Sequence, residues 1–388
     1  MFQNALKCLP GYHLAILFVG LFIPIASNLL CIEFKNIYLL FLIIFFFGYA
    51  VIQNKYQTFK PVYLLLLGLL VFLIPFSYIS NEAIPASLLS VILIFIAGIL
   101  ISGLFSEIDY GKLSDWILKI YNFLVMMILI EALLIFLGQA TFLADFFGAC
   151  GDGIRPYRVL HNRFGELTGI GLSGLNSIFI GPQFASVILS QSIVVNFFSN
   201  HKNRYKYMIL ALSLFFMFPN GTGLLLMAFS FLMILVLSKK VSTTHITFLL
   251  ISIFLFLVYI EKYYYGMLDF LVLGNLEIVS EFDIMKLLFG MGPNYNSLFP
   301  NTEISFINYT ALLGIIPFGL LILFIIYSAY NGLNKLETYN KPLFASAGIN
   351  LLIMLISLLH YDTIFGSGVV LLFLINIAIL NIRINSEK

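Results

Sequence analysis

Residues 207–238 read YMILALSLFFMFPNGTGLLLMAFSFLMILVLS, a run of 32 residues with no charge, broken only by Pro219-Asn220-Gly221. A helix that crosses the hydrocarbon of a bilayer needs roughly 20 apolar residues. The run is therefore long for one span and short for two. Residues 207–218 reach only about 18 Å at 1.5 Å per residue, against a core of roughly 30 Å. Yet Pro-Asn-Gly is a strong turn signal. The choice matters because one helix or two decides the side of the membrane on which every later loop falls.

Lysine and arginine placement separates the two readings, since cytoplasmic loops carry the excess of positive charge. With a turn at 219–221, the inside holds Lys7, Lys55, Lys60, Lys112, Lys119, Lys202, Arg204, Lys206, Lys239, Lys240, Lys335, Lys341, Arg383 and Lys388. The outside holds Lys35, Arg155, Arg158, Arg163, Lys262 and Lys286, a ratio of 14 to 6. A single helix would move Lys239, Lys240, Lys335, Lys341, Arg383 and Lys388 outside and bring in only Lys262 and Lys286. The charge rule predicts a hairpin.

The rest of the chain repeats the character of this run. Of 388 residues, 61% are apolar and 10% charged, and the mean hydropathy is +1.04. Soluble domains carry about 25% charged residues, so a soluble globular protein is excluded. Uncharged runs give twelve candidate spans: 12–32, 36–52, 61–79, 86–104, 117–138, 176–198, 207–218, 221–238, 246–260, 304–330, 343–359 and 369–382. Lipid satisfies no backbone hydrogen bond, and these runs are too long and uniform for barrel strands, so they are helices. The expected fold is an all-α polytopic integral membrane protein. It is one membrane domain over 1–388, with about twelve transmembrane helices and both termini cytoplasmic. Tyr12–Ile32 reads as a retained first span rather than a cleaved signal. Cys8, Cys31 and Cys150 form no disulfide framework or metal spacing.

Two outer loops are substantial, 139–175 and 261–303. The inner loops carry no GxxxxGK[ST] or GxGxxG signature, so chemistry is expected on the outer face, with no cofactor, no metal and no nucleic-acid partner. In the first loop Arg155, Arg158 and Arg163 fall within nine residues, beside His161 and Glu166. Arginine's rigid donor fork suits phosphate and carboxylate. The cluster fits a diphosphate at headgroup level; ion pairing with Asp152 and Glu166, or contact with ordinary phospholipid heads, accounts for it equally simply. The glycines of 169–181 suit helix packing or close approach to a ligand. In the second loop Tyr263-Tyr264-Tyr265 suits an interfacial belt or sugar stacking. Glu303 is a helix-start carboxylate or a general base, and His360 beside Asp362 is a loop histidine or a proton relay. Glu131 is the one carboxylate well inside a predicted span, a functional candidate by default.

In its order of parts the chain resembles the O-antigen polymerases (Wzy-type) within the bacterial lipid-linked glycan polymerases and ligases. The resemblance covers about 140–330. It rests on the arginine-bearing loop, the glycine-rich approach to Asn176 and Gly181-Pro182-Gln183, and the hairpin Pro219-Asn220-Gly221-Thr222-Gly223. It continues through Leu288-Phe289-Gly290-Met291-Gly292 to Glu303, Asn308-Tyr309 and Leu313-Gly314. Members carry an arginine, fifteen residues and a glycine in the first loop, a spacing met by Arg155 with Gly171 and by Arg158 with Gly174. Their second-loop arginine is absent; Glu303 stands in its place ten residues before Gly314.

The resemblance implies a multi-pass protein of the bacterial inner (cytoplasmic) membrane. Its implied reaction transfers a growing glycan from undecaprenyl diphosphate to an incoming lipid-linked repeat at the periplasmic face. Arg155, Arg158, His161 and Arg163 would bind the diphosphate. Arg158, Glu166, Glu303 and His360, with Asp362, are the catalytic candidates. Its partners would be the undecaprenyl-diphosphate-linked oligosaccharide, membrane lipids, a chain-length regulator and a flippase. An O-antigen ligase of the same group differs only in its acceptor. A lipid-linked oligosaccharide flippase also has about twelve spans but needs a polar central cavity, whereas these spans are nearly free of charge.

Overall fold

The computed structural model describes residues 20, 34–52, 68, 71, 86–105, 109–137, 182–217, 221–237, 283–290, 305–339, 341–359 and 369–380. Every regular element among them is an α-helix. In chain order these are α1 (Phe34–Ile52), α2 (Ala86–Phe105), α3 (Tyr110–Phe136), α4 (Pro182–Phe198), α5 (Arg204–Met217) and α6 (Gly221–Leu237). They are followed by α7 (Ile284–Phe289), α8 (Ser305–Leu313), α9 (Ile315–Tyr339), α10 (Pro342–Ser357) and α11 (Val369–Leu380).

The innermost helices are those with no polar face. All twelve residues of α11 are buried, and Asn376 is its only polar side chain. A helix apolar on every side must be enclosed by others. Helix α10, next to it, packs on α4, α6, α9 and α11. Small residues let α9 and α10 approach closely: a Cβ added at Gly348 would stand 2.9 Å from the carbonyl oxygen of Ala329, and one at Gly332 2.8 Å from that of Phe344. Such small-residue contacts are how helices associate where lipid supplies no hydrophobic drive.

The surface is apolar where that of a soluble protein is polar. Ile37, Leu40, Phe41, Ile44 and Phe47 form an exposed stripe on α1; Phe123, Met126, Ile130 and Leu133 do so on α3, and Leu323, Ile326, Tyr327 and Tyr330 on α9. Meanwhile Gln191, Asn196, Asn350 and Asn376 are fully buried. Large exposed apolar faces mark interaction or membrane surfaces. Two helices are long and apolar enough to cross a membrane, over Tyr110–Leu134 and Ile315–Leu336. Six others are apolar over 10–17 residues.

Two predicted spans are redrawn, and the predicted break within 207–238 is present. The run 207–238 is divided into α5 and α6 on either side of 218–220. Both pack on α4, and α6 also reaches α10; a straight helix twice the length of α4 could not lie along it twice. The predicted span 117–138 begins seven residues earlier, at Tyr110, because Asp109 caps it by accepting the Lys112 N–H at 3.0 Å. The predicted span 304–330 is broken at Gly314 into α8 and α9. Candidate spans 12–32, 61–79 and 246–260, apart from three isolated residues, lie outside the described residues, as does the loop 139–175.

Basic residues collect at one end. Lys341 lies 5.0 Å over the ring of Tyr110, whose hydroxyl accepts the Leu343 N–H at 2.8 Å. Lys335 donates to the carbonyl of Leu380. Asp115 and Lys119 of α3 share a cleft with His201 and Tyr207, beside Lys202, Arg204 and Lys206. The start of α3, the α4–α5 turn, the end of α9, the start of α10 and the end of α11 therefore face the same way.

The break at Gly314 is an interlock with the segment 283–290. Gly290, which ends α7, and Gly314 both hold φ of +85°. A Cβ on Gly290 would collide with the backbone of Leu312 and Leu313, and one on Gly314 with the backbone of Leu288 and Gly290. The Gly314 N–H closes α8 by donating to Thr310 at 2.9 Å, and Pro317 sits in the first turn of α9 where its missing N–H costs nothing. Helix α7 is capped by Asp283, whose carboxylate accepts the Lys286 N–H at 2.9 Å and pairs with its ammonium at 3.1 Å. The Lys286 N–H holds that carboxyl below its ordinary range. We expect Gly290→Ala and Gly314→Ala each to lower thermal stability in detergent sharply, backbone strain alone costing about 1–3 kcal/mol. Gly319→Ala, where no atom lies within 4 Å of the added Cβ, is expected to be neutral or stabilising. Equal melting curves for all three variants would refute the interlock.

Candidate functional site

Lone amides inside otherwise apolar helices build the described interior. Tyr121 of α3 donates its hydroxyl to Gln191 Oε1 of α4 at 3.0 Å, and Gln191 Nε2 donates to the Asn350 carbonyl of α10 at 3.1 Å. Asn350 Nδ2 donates to Tyr121 Oη at 3.3 Å and to Asn376 Oδ1 of α11 at 3.2 Å. Asn376 Nδ2 donates to Tyr121 Oη at 3.2 Å and to the Leu372 carbonyl at 2.7 Å. One phenol and three amides, each fully buried, thus tie four helices together. Asn350 Oδ1 meets no donor among the described residues. Nearer the basic end, Asn196 Nδ2 of α4 donates to Asn122 Oδ1 of α3 at 2.8 Å and to the Ser192 carbonyl at 2.9 Å.

Neutral amides and a buried phenol neither abstract nor deliver protons near neutral pH, so this node fixes helix register rather than performing acid–base chemistry. It also sets the level of Glu131. Helices α3 and α4 run in opposite directions, since the start of α3 and the turn that follows α4 line one cleft, and Tyr121 meets Gln191 between them. Ten residues beyond Tyr121, Glu131 is therefore level with the first turns of α4, the end of a helix that favours negative charge. Glu131 is buried, at 3% exposure, the placement typical of an acid within a membrane-crossing helix.

Of the residues singled out by sequence for chemistry, Glu131 alone falls among those described. Arg155, Arg158, His161, Arg163, Glu166, Glu303, His360 and Asp362 all lie outside them. The described chain nevertheless runs to within two residues of Glu303 and to the residue before His360, and there it meets itself. The Phe306 N–H, in the first turn of α8, donates to the carbonyl of Leu358 at 2.9 Å. The Phe306 and Tyr309 rings pack on Phe318 of α9 at 5.1 and 5.9 Å, fixing α8 to the helix it precedes. Among the described residues no group of His, Cys, Asp and Glu is placed to hold a metal ion.

The amide node was not anticipated, because sequence reasoning followed charges. Its signal was present: Asn122, Gln191, Asn196, Asn350 and Asn376 each interrupt an apolar run.

Comparison with known proteins adds no relative: no protein-family model, curated protein or solved structure matches the chain.

Tyr121→Phe removes the hub hydroxyl and leaves buried amides short of partners, which costs about 1–3 kcal/mol. We expect a lowered melting temperature in detergent for Tyr121→Phe and Asn350→Ala. Ser328→Ala, which removes a buried hydroxyl with no partner among the described residues, should leave it unchanged or raised. A Tyr121→Phe protein as stable as the wild type would show the node to be incidental.

Proposed function

We propose that the chain is a polytopic glycan polymerase of the bacterial inner membrane, with about twelve spans and cytoplasmic termini. It extends a surface polysaccharide such as O-antigen from polyprenyl-diphosphate carriers at the outer face. The observation that carries this reading is the bond between Phe306 and Leu358. It joins the chain beside Glu303 to the chain beside His360, at the end of the bundle away from the lysine-rich one. Both residues are catalytic candidates on separate segments of the sequence, and a carboxylate with a histidine is a suitable acid–base pair. The Gly290–Gly314 interlock is further support, since it joins two of the motifs on which the polymerase resemblance rests.

The membrane arrangement draws support from the apolar exterior, from the division of 207–238 into two helices, and from the basic end. Every basic residue described at that end belongs to the set that the twelve-span reading assigns to the cytoplasm.

In the proposed reaction, a hydroxyl of the incoming repeat's terminal sugar attacks the anomeric carbon of the growing chain. The new glycosidic C–O bond forms as the bond from that carbon to the diphosphate breaks, and its electron pair leaves on the polyprenyl diphosphate. Arg155, Arg158 and Arg163, with His161, stabilise the developing charge by preorganised donors. The hydroxyl proton passes to Glu303 or His360, with Glu166 and Asp362 as the further candidates.

Glycan electrophoresis of a deletion strain tests the reading. Lipid capped by single repeats is expected, with long chains restored by the wild-type gene but not by Arg158→Ala. Glu303→Gln and His360→Ala are each expected to slow polymerisation by roughly 10²-fold or more. Long chains stranded on the carrier lipid would instead indicate a ligase, and absence of any outer-face product a flippase.

A further inference from the structure

The basic end of the bundle carries a cleft. Helices α3 and α5 diverge there around a cleft of about 390 Å³, lined by Asp115, Lys119, Asn122, Phe123, Met126 and His201 among others. Its floor is Asn122, which is 8% exposed. Asn122 Oδ1 accepts from Asn196 Nδ2 at 2.8 Å, while Asn122 Nδ2, which carries two donors, has no partner among the described residues. The α4–α5 turn fixes His201 in a defined tautomer. Its Nδ1 accepts the Asn203 N–H at 3.2 Å, so the ring proton sits on Nε2 and the ring is a donor there even when neutral. That turn is held rigidly: Arg204 Nη1 donates to the Ser199 carbonyl at 2.7 Å, and Ser199 Oγ to the Asn196 carbonyl at 3.0 Å. Lys119 supplies a third donor group. The cleft thus offers an amide, an imidazole N–H and an ammonium, against the single carboxylate of Asp115, which pairs with Lys119 at 2.6 Å. Lys112, Lys202, Arg204 and Lys206 neighbour the lining residues along the chain, and among the described residues of those two stretches Asp109 is the one further acid before Asn122.

Donors at the floor and rim call for an anion, and the remaining wall decides which kind. Phe123 and Met126 continue the cleft along the exposed apolar face of α3, with Trp116 exposed one turn before Lys119. An occupant with a phosphate head and a hydrocarbon tail satisfies both parts, and basic pockets between helices bind anionic lipid heads. We propose that this cleft is a specific site for an anionic phospholipid of the bilayer. Its phosphate engages Asn122, Lys119 and His201, and an acyl chain lies along Phe123 and Met126. Asp115 competes with the phosphate for Lys119 and so tunes the affinity. The site is separate from the proposed outer-face chemistry and does not depend on it.

Native mass spectrometry of the detergent-purified full chain, titrated with phosphatidylglycerol or phosphatidylcholine, tests the proposal. Phosphatidylglycerol is expected to form a saturable one-lipid adduct at several-fold lower concentration than phosphatidylcholine. Lys119→Gln and Asn122→Leu should remove that preference, and Asp115→Asn should strengthen it several-fold, a gain that mere loss of structure cannot mimic. Equal binding of the two lipids, or an Asp115→Asn variant that binds no more tightly, would overturn the proposal. So would full competition by water-soluble glycerophosphate, which would show a site for soluble anions.

Discussion

Four side chains without exposure, Tyr121, Gln191, Asn350 and Asn376, share one set of hydrogen bonds between α3, α4, α10 and α11. The remainder of the bundle is arranged around them. Apolar packing alone is nearly indifferent to a helix sliding by one turn, because leucine and phenylalanine fit many neighbours. A buried amide is not indifferent, since slipping it away from its partner leaves a polar group in hydrocarbon at a cost of several kcal/mol. The measured strength of such bonds between membrane helices is modest, about 0.6 kcal/mol on average, but breaking one leaves its partner unsatisfied at a larger cost, about 1–3 kcal/mol, and that penalty holds the register. Once α3 and α4 are locked antiparallel, the levels of Glu131 and of the Asn122–Asn196 pair follow.

The two ends of the bundle use different devices. At one, a short loop helix is seated by two glycines whose backbones leave no room for a side chain, and α8 is tied back to the end of α10. Rigid backbone of this kind suits a surface that must hold reacting groups in fixed relation. At the other, basic side chains lie over aromatic rings, Lys341 over Tyr110 and Lys335 over Phe344 between helices, and Arg204 over Tyr205 within α5. These contacts draw charge to one level while the methylene stems remain on apolar surface.

Much of the helix layout was legible as uncharged runs. Helices α1, α2, α10 and α11 fall within a few residues of their predicted limits, because charge and helix ends coincide where a chain leaves an apolar environment. The break between Met217 and Gly221 was legible too, from the charge rule. The division of 304–330 was missed: Gly314 is one glycine in an apolar run, and only its contact with Gly290 requires a positive φ there. Of the candidate site, the arginine cluster and its neighbours were read as chemistry from residue type. What could not be read was that Phe306 and Leu358, 52 residues apart, are bonded.

The sequence by itself determined that the described chain is helical and apolar, where most of its helices start and stop, and which residues carry ionisable chemistry. These follow from composition and from the period and length of apolar runs, which are local properties. Tertiary structure decided which helices are enclosed, which face lipid-like surroundings, and which distant residues meet. Asn350 and Asn376 look like Asn196 in the sequence, single amides in greasy helices. Which amide faces which is a matter of helix direction, crossing and register, and no local pattern encodes these.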